Sequence, residues 1–169
     1  EIVALMGANG AGKSTFVKIL TGALKADSGD ITIQGKASRF SSPGEARRAG
    51  LVPVYQEPSL IPDLDVHDNL RLGNTPVEAF RHWVNELGIS KLSLAEVTRN
   101  LPLATLRILD LARALAANPH LLLLDEMTAA LPTDLVERVL KVIRQQADQG
   151  QSIIYISHRF LEISEVCDR

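Results

Sequence analysis

Gly7-Ala8-Asn9-Gly10-Ala11-Gly12-Lys13-Ser14-Thr15 is the stretch on which the reading of this chain turns. It satisfies G-x-x-x-x-G-K-[ST], the spacing of a glycine-rich loop that wraps a phosphate chain. Ile2 to Met6, ahead of it, is a short apolar run suited to a buried parallel strand. Behind it, Ser14 to Leu24 carries Phe16, Val17, Ile19, Leu20 and Leu24 at helical spacing. Strand, glycine loop and helix thus follow in the required order. Gly7, Gly10 and Gly12 let the backbone fold back and bring successive N–H groups, with those of Asn9 and Ala11 between them, toward phosphate oxygens at the positive end of the helix. Lys13 then reaches the β- and γ-phosphates, the Ser14 hydroxyl ligates Mg²⁺, and Thr15 offers a second hydroxyl. The plainer reading, a glycine-rich turn with an unremarkable lysine, gives no reason for the flanking strand and helix.

A chain of 169 residues, rich in Leu, Val, Ile and Ala, can bury one core, so one domain with or without a smaller lobe is expected. A formal charge of −2 without a basic run gives no electrostatic reason for a nucleic-acid partner. Cys167 is the only cysteine, which excludes an internal disulfide and favours a reducing compartment. The apolar runs, such as Ile2 to Met6, Leu121 to Leu124 and Ile153 to Ile156, are strand-length and far below the roughly twenty residues that cross a bilayer. Any membrane connection therefore runs through a partner. Because the chain opens inside a strand pattern without an initiating Met and stops just after a helix-like segment, an excerpt of a larger polypeptide, truncated at both ends, is expected.

Farther along, Ile31-Thr32-Ile33 alternates before Gly35 in the manner of an antiparallel strand in a small β lobe. Leu51 to Tyr55 reads as a strand that delivers Gln56 to a strand-to-loop junction, since Glu57-Pro58 forces the chain out of regular structure. Phe80, Trp83, Val84 and Leu87 fall at helical spacing and predict a packed helix over 77–87, capped by Gly88. Ile108, Leu111, Ala112 and Leu115 mark a second amphipathic helix that starts just after Pro102 and is ended by Asn118-Pro119. Leu121 to Leu124 has the pattern of a strand buried on both faces, and Asp125 and Glu126 leave its C-terminal end with alternating directions. Pro132 or Thr133 opens a further helix with Leu135, Val139, Val142 and Ile143 inward, before the strand Ser152 to Ile156 and the polar tip Ser157-His158. The fold class expected is α/β: a mostly parallel sheet around the phosphate loop, a small antiparallel β lobe, and an inserted α-helical subdomain at approximately 57–118, all in one domain over 1–169.

Transfer of a γ-phosphoryl group needs a metal, an oriented water and donors for the charge that develops on the phosphoryl oxygens. Ser14, Gln56 and Asp125 are the candidate Mg²⁺ ligands, and Glu126 is placed to orient or deprotonate the water. Gln56 bridges metal and water, and His158 donates to the γ-phosphate from the opposite wall. Plainer readings stay open: two solvated acids in a turn, and a histidine that only satisfies its surroundings.

In their order and spacing, Gly7 to Thr15, Gln56, Leu121 to Glu126 and His158 resemble the Walker A loop, Q-loop, Walker B strand with its catalytic glutamate, and switch histidine of ABC transporter nucleotide-binding domains, over nearly the whole chain. Ala4 to Thr15, Val54 to Glu57, Thr128 to Leu131 and Tyr155 to Arg159 are most similar to the ATPases of ribose-type monosaccharide importers. The resemblance implies ATP with Mg²⁺, catalytic roles for Glu126, His158 and Gln56, and an importer subunit coupling ATP-driven closure to a membrane permease. It further implies a second ABC ATPase domain, in tandem or as a dimer, a solute-binding protein acting indirectly, no nucleic acid, and a peripheral place on the cytoplasmic face of the cell membrane. Alternatives are a soluble ABC ATPase outside transport and a hydrolysis-deficient regulatory half of an asymmetric pair.

Departures from the family pattern bear on the last alternative. Leu101-Pro102-Leu103-Ala104-Thr105 stands where the signature reads L-S-G-G-Q: Pro102 lacks the serine hydroxyl and an N–H, and Ala104 adds a methyl. That motif serves the γ-phosphate held by the partner's Walker A loop, so an asymmetric pair is expected, with the site at Gly7 to Thr15 competent and the other composite site weak. Met127 replaces the usual proline after the glutamate, and Pro132 the aspartate of the D-loop. The family's adenine-stacking aromatic, carried ahead of the first strand, has no counterpart in these residues.

Overall fold

The chain runs β1 (Ile2–Ala4), α1 (Lys13–Leu20), β2 (Ile31–Ile33), β3 (Lys36–Ser38), α2 (Pro43–Arg48), β4 (Leu51–Val54), α3 (Val66–Leu72), α4 (Val77–Glu86), α5 (Leu103–Ala116), β5 (Leu121–Asp125), α6 (Thr133–Asp148), β6 (Ser152–Ile156) and α7 (Phe160–Val166) in the computed structural model, which describes residues 1–8 and 10–169. The sheet order is β1-β6-β5-β4, every pair parallel. β2 and β3 form a separate antiparallel hairpin. Its turn residues, Gln34 and Gly35, have φ of 51° and 74°, the left-handed pair a tight hairpin requires.

Register decides where the loops emerge. Ala4 lies opposite Tyr155, Tyr155 opposite Leu124, and Leu124 opposite Val54, so one rank of residues crosses the sheet near its C-terminal edge. Because the strands are parallel, the next few residues of all four leave from that edge, where open α/β sheets bind their ligands.

Alternation along the strands builds two cores. Val52, Val54, Leu122, Leu124, Ile153 and Tyr155 pack with the apolar residues of α3 to α7, while Leu51, Leu123 and Ile156 pack with Val17 and Leu20 of α1 and Ala46 of α2. Leu122, Leu123 and Leu124 are each 0% exposed, which explains an unbroken leucine run in place of an alternating strand. Each such side chain contributes about 1.5–3 kcal/mol by burial. Between Gln56 and Leu121 lie α3, α4, a short 3₁₀ turn at Thr98–Asn100, and α5. Phe80 and Val84 of α4 are buried as packing residues, and Gly88 follows with a φ of 89°. Among the described residues no helix is long and apolar enough to cross a membrane.

Several expectations are corrected. α1 ends at Leu20, not Leu24: the Thr21 hydroxyl donates to the Val17 carbonyl (2.9 Å), Gly22 turns the chain at a φ of 70°, and the N–H groups of Ala23 and Leu24 close back on the Lys18 carbonyl. Leu24 is consequently exposed, and so is Phe16, on the outer face of α1. In α6 Leu135 packs against the core as expected but is only half-buried, and Val136, which the spacing did not single out, is buried beside it. α5 is buried nearly all round, since residues 107 to 112 are all inaccessible. Its buried Asp110 is satisfied by Arg113 (2.6 Å) and the Ser59 N–H (3.1 Å). Helices α2 and α3 were not expected from periodicity; each is one or two turns long and is started by a cap, Ser42 accepting from the Glu45 N–H and Asp65 from the Asp68 N–H.

Candidate active site

The loop after β1 is tight. Gly10 and Gly12 have φ of 82° and 93°, conformations that L side chains rarely adopt, and a Cβ on Gly7 would lie 3.0 Å from that of Ala11. The Ala11 N–H donates back to the Ala8 carbonyl at 3.1 Å. Gly12 is the N-cap of α1 with no side-chain cap, so the first amides of the helix have no side-chain partner there. Lys13 folds over the loop: its ammonium donates to the carbonyls of Gly7 (2.6 Å) and Ala8 (3.1 Å). Asn9, assigned to the loop by sequence, lies outside the described residues.

Gly10, Gly12, Lys13, Ser14 and Thr15 line one wall of a cleft of about 510 Å³, and Gln56, Asp125 and Glu126 line the rest. Residues from three separated parts of the chain meet there because β1, β4 and β5 end at one level. Asp125 closes β5 and is partly buried. Burial and the neighbouring Glu126 push its carboxyl above the usual aspartate value, while Lys13 pulls it down. Ser14, Gln56 and Asp125 together offer a hydroxyl, an amide and a carboxylate, an all-oxygen donor set that suits Mg²⁺.

Glu126 departs from the expected strand alternation. It lies past the end of β5 with a φ of 49°, and its N–H donates to the Ile156 carbonyl at 2.9 Å. A left-handed backbone, not the pleat, aims its carboxylate. His158 does not line the cleft; its Nδ1 lies 3.4 Å from Glu126 Oε1, with the imidazole 69% exposed. Gly7 and Ala11 likewise support the loop from outside the cleft wall.

Arg107 went unnoticed in the sequence. It is buried in the first turns of α5 and donates to the carbonyls of Glu126 (3.3 Å) and Met127 (3.1 Å). Desolvation pushes its guanidinium down and Glu126 pushes it up. No spacing rule links position 107 to 126, so only the fold reveals the pair. At the start of α5, Pro102 is the N-cap with no side-chain hydrogen bond, as its chemistry requires.

The family model described as ABC transporter matches residues 1–129. A ribose import ATP-binding protein of Rhizobium johnstonii is 38% identical over 178 residues, covering 99% of this chain and 35% of that protein. Another from Geobacillus kaustophilus is 36% identical over 182 residues, covering 100% of this chain and 37% of that protein. The chain thus spans little more than a third of the length of the curated relatives it matches. Among solved structures, cbiO1 of Clostridium perfringens, part of the ABC transporter complex cbiONQ, superimposes with a TM-score of 0.79 at 27% identity over 99% of this chain and 71% of that one. The ATP-binding subunit of another ABC transporter shares the fold, with a TM-score of 0.86 at 24% identity over 99% of this chain and 72% of that one.

Proposed function

Since the chain belongs to the ABC transporter family, we propose that it binds Mg·ATP in the cleft beneath Gly7 to Thr15 and hydrolyses it to drive an importer, with a monosaccharide as the solute. The observation that carries this reading is the single cleft in which the phosphate loop faces Gln56, Asp125 and Glu126. The ribose import relatives support the class of solute. Residues 1–169 act as one ATP-binding domain that pairs with a second such domain, and the helical region at 57–118 meets a membrane permease served by a solute-binding protein. The complex sits on the cytoplasmic face of the cell membrane, with this chain peripheral to it.

Chemistry follows from the residues present. Backbone amides of the loop and the start of α1 bind the phosphates, with the helix dipole aligned to favour the anion. Lys13 uses two of its three N–H groups on Gly7 and Ala8, which leaves one for a phosphate oxygen and fixes where it points. Ser14, Gln56 and Asp125 would hold Mg²⁺, which supplies charge neutralisation at the β- and γ-oxygens when bound. Glu126 accepts the proton of the attacking water, and His158, beside it, donates to the γ-phosphoryl oxygens.

Glu126→Gln in the intact protein with its partners tests this assignment. Mg·ATP affinity should stay within about threefold while turnover falls by about 10²–10⁴-fold, the range for a lost general base. Turnover near that of the wild type would remove Glu126 from the mechanism.

A second reading, a half specialised for binding, is favoured by Pro102 at the N-cap of α5. Loss of one hydrogen bond to a charged group costs about 1.5–3 kcal/mol, or roughly 10- to 150-fold in rate. That loss falls on the ATP held by the partner domain, so an asymmetric pair reconciles the intact cleft with the altered signature.

A further inference from the structure

Two segments adjoin the Glu126 and His158 pair, and neither is held by a sheet ladder: residues 127–131, which follow Glu126 beyond β5, and residues 157–159, which carry His158 beyond β6. Beneath both lies Glu162 of α7, 7% exposed. Its Oε2 accepts from the Tyr155 hydroxyl at 2.6 Å and the Thr128 hydroxyl at 2.7 Å, and its Oε1 accepts from Arg159 at 2.8 Å. A second terminal nitrogen of Arg159 donates to the Ala129 carbonyl at 3.3 Å. Thr128 and Ala129 belong to the first segment, Arg159 to the second, and Tyr155 to the rank of strand residues that sets the level of the site.

We propose that Glu162 is a positioning residue whose carboxylate ties the segment after Glu126 to the segment bearing His158, and so keeps those two side chains at their 3.4 Å separation. The proposal rests on the catalytic reading of Glu126 and His158. A carboxylate suits the role because it accepts along several directions at once, and bonds to an ionised acceptor are short and directional. Burial raises the Glu162 carboxyl, but the donors Tyr155, Arg159 and Thr128 outweigh it and hold the group below its usual value, so the knot is ionised at neutral pH. Neither Glu162 nor Arg159 lines the cleft, so each acts on the chemistry only through other residues.

Glu162→Gln and Arg159→Met, singly and together in the intact protein with its partners, test the knot. The Arg159 side chain is 41% exposed, so its removal leaves the fold standing even if the Glu162 variant weakens it. Each single variant should lower kcat by about tenfold, as a small displacement of catalytic groups does, with Mg·ATP affinity within about twofold. The double variant should lose little more than either single one, because both cut one network. Independently of turnover, amide exchange in 127–131 and 157–159 should accelerate together in each variant while 13–20 is unchanged. Loosening of only one segment, an unchanged kcat beside an active wild type, losses that multiply in the double variant, or affinity falling in step with kcat would overturn the proposal. If the wild type turns over no ATP, the catalytic reading fails by itself, and amide exchange still decides whether Glu162 couples the two segments.

Discussion

Glu126 sits in a left-handed backbone conformation that costs a non-glycine residue about 1–2 kcal/mol, and it is held there by the Ile156 carbonyl on one side and Arg107 on the other. Arg107→Met deletes the donors to two carbonyls while keeping much of the buried stem. It should lower stability by about 1–3 kcal/mol, read from thermal unfolding, and reduce turnover at matched ATP saturation. Unchanged stability would show that the two carbonyls are satisfied without it. Titration gives a second prediction at this scale. Glu162 has a folded pKa below its unfolded one, so its stabilisation is fully present at neutral pH and disappears as pH falls through the folded value, below the ordinary glutamate range. The difference in melting temperature between wild type and Glu162→Gln should therefore be widest near pH 7 and close toward acid; a gap independent of pH would contradict this. Lys13, Ser14 and Asp125 were legible in the sequence because chemistry fixes their spacing along a loop or at a strand end. Arg107 and Glu162 were not, since their partners are brought to them by packing between α5, α7 and the sheet.

Elements depend on how they stop as much as on how they begin. Leu24 continues the helical spacing four residues past the observed end of α1 at Leu20, and the residue that stops the helix is Gly22. There φ is 70° and a Cβ would lie 2.8 Å from both the Phe40 Cβ and the Ser42 carbonyl oxygen. Gly150, with a φ of 99° and nothing within 4 Å of such a Cβ, carries the backbone requirement alone. Gly150→Ala should cost about 1–2 kcal/mol from strain, and Gly22→Ala measurably more, because the clash with Ser42 backbone adds to it. Equal melting temperatures for the two variants would mean that the α1 terminus relaxes at no cost. Strands β2, β4, β5 and β6, by contrast, match the sequence pattern to within a residue, the leucine run of β5 leaving least latitude, while β1 stops at Ala4, two residues short of the apolar run to Met6, and β3 at Lys36–Ser38 has no apolar pattern to mark it. Periodicity missed α2 and α3, which are too short to show it, although Ser42, Glu45, Asp65 and Asp68 carry their capping chemistry in plain view.

At the scale of the whole molecule, the sheet order β1-β6-β5-β4 makes one site of motifs spread from Gly7 to Glu126, with His158 beside it. Alternation of strands and helices predicted a parallel sheet, but strand order is a property of long-range pairing that no local window contains. In the function proposed, the helical region at 57–118 and the altered signature at Leu101 to Thr105 meet partners, and the expected consequence is asymmetry. Steady ATP turnover of the assembled protein, with Lys13→Ala on this chain compared with loss of the corresponding lysine in the partner domain, tests that claim most directly. Lys13→Ala should lower turnover by about 10²-fold or more while loss of the partner's lysine leaves most of it. Turnover that survives Lys13→Ala and collapses with the partner's lysine would contradict it.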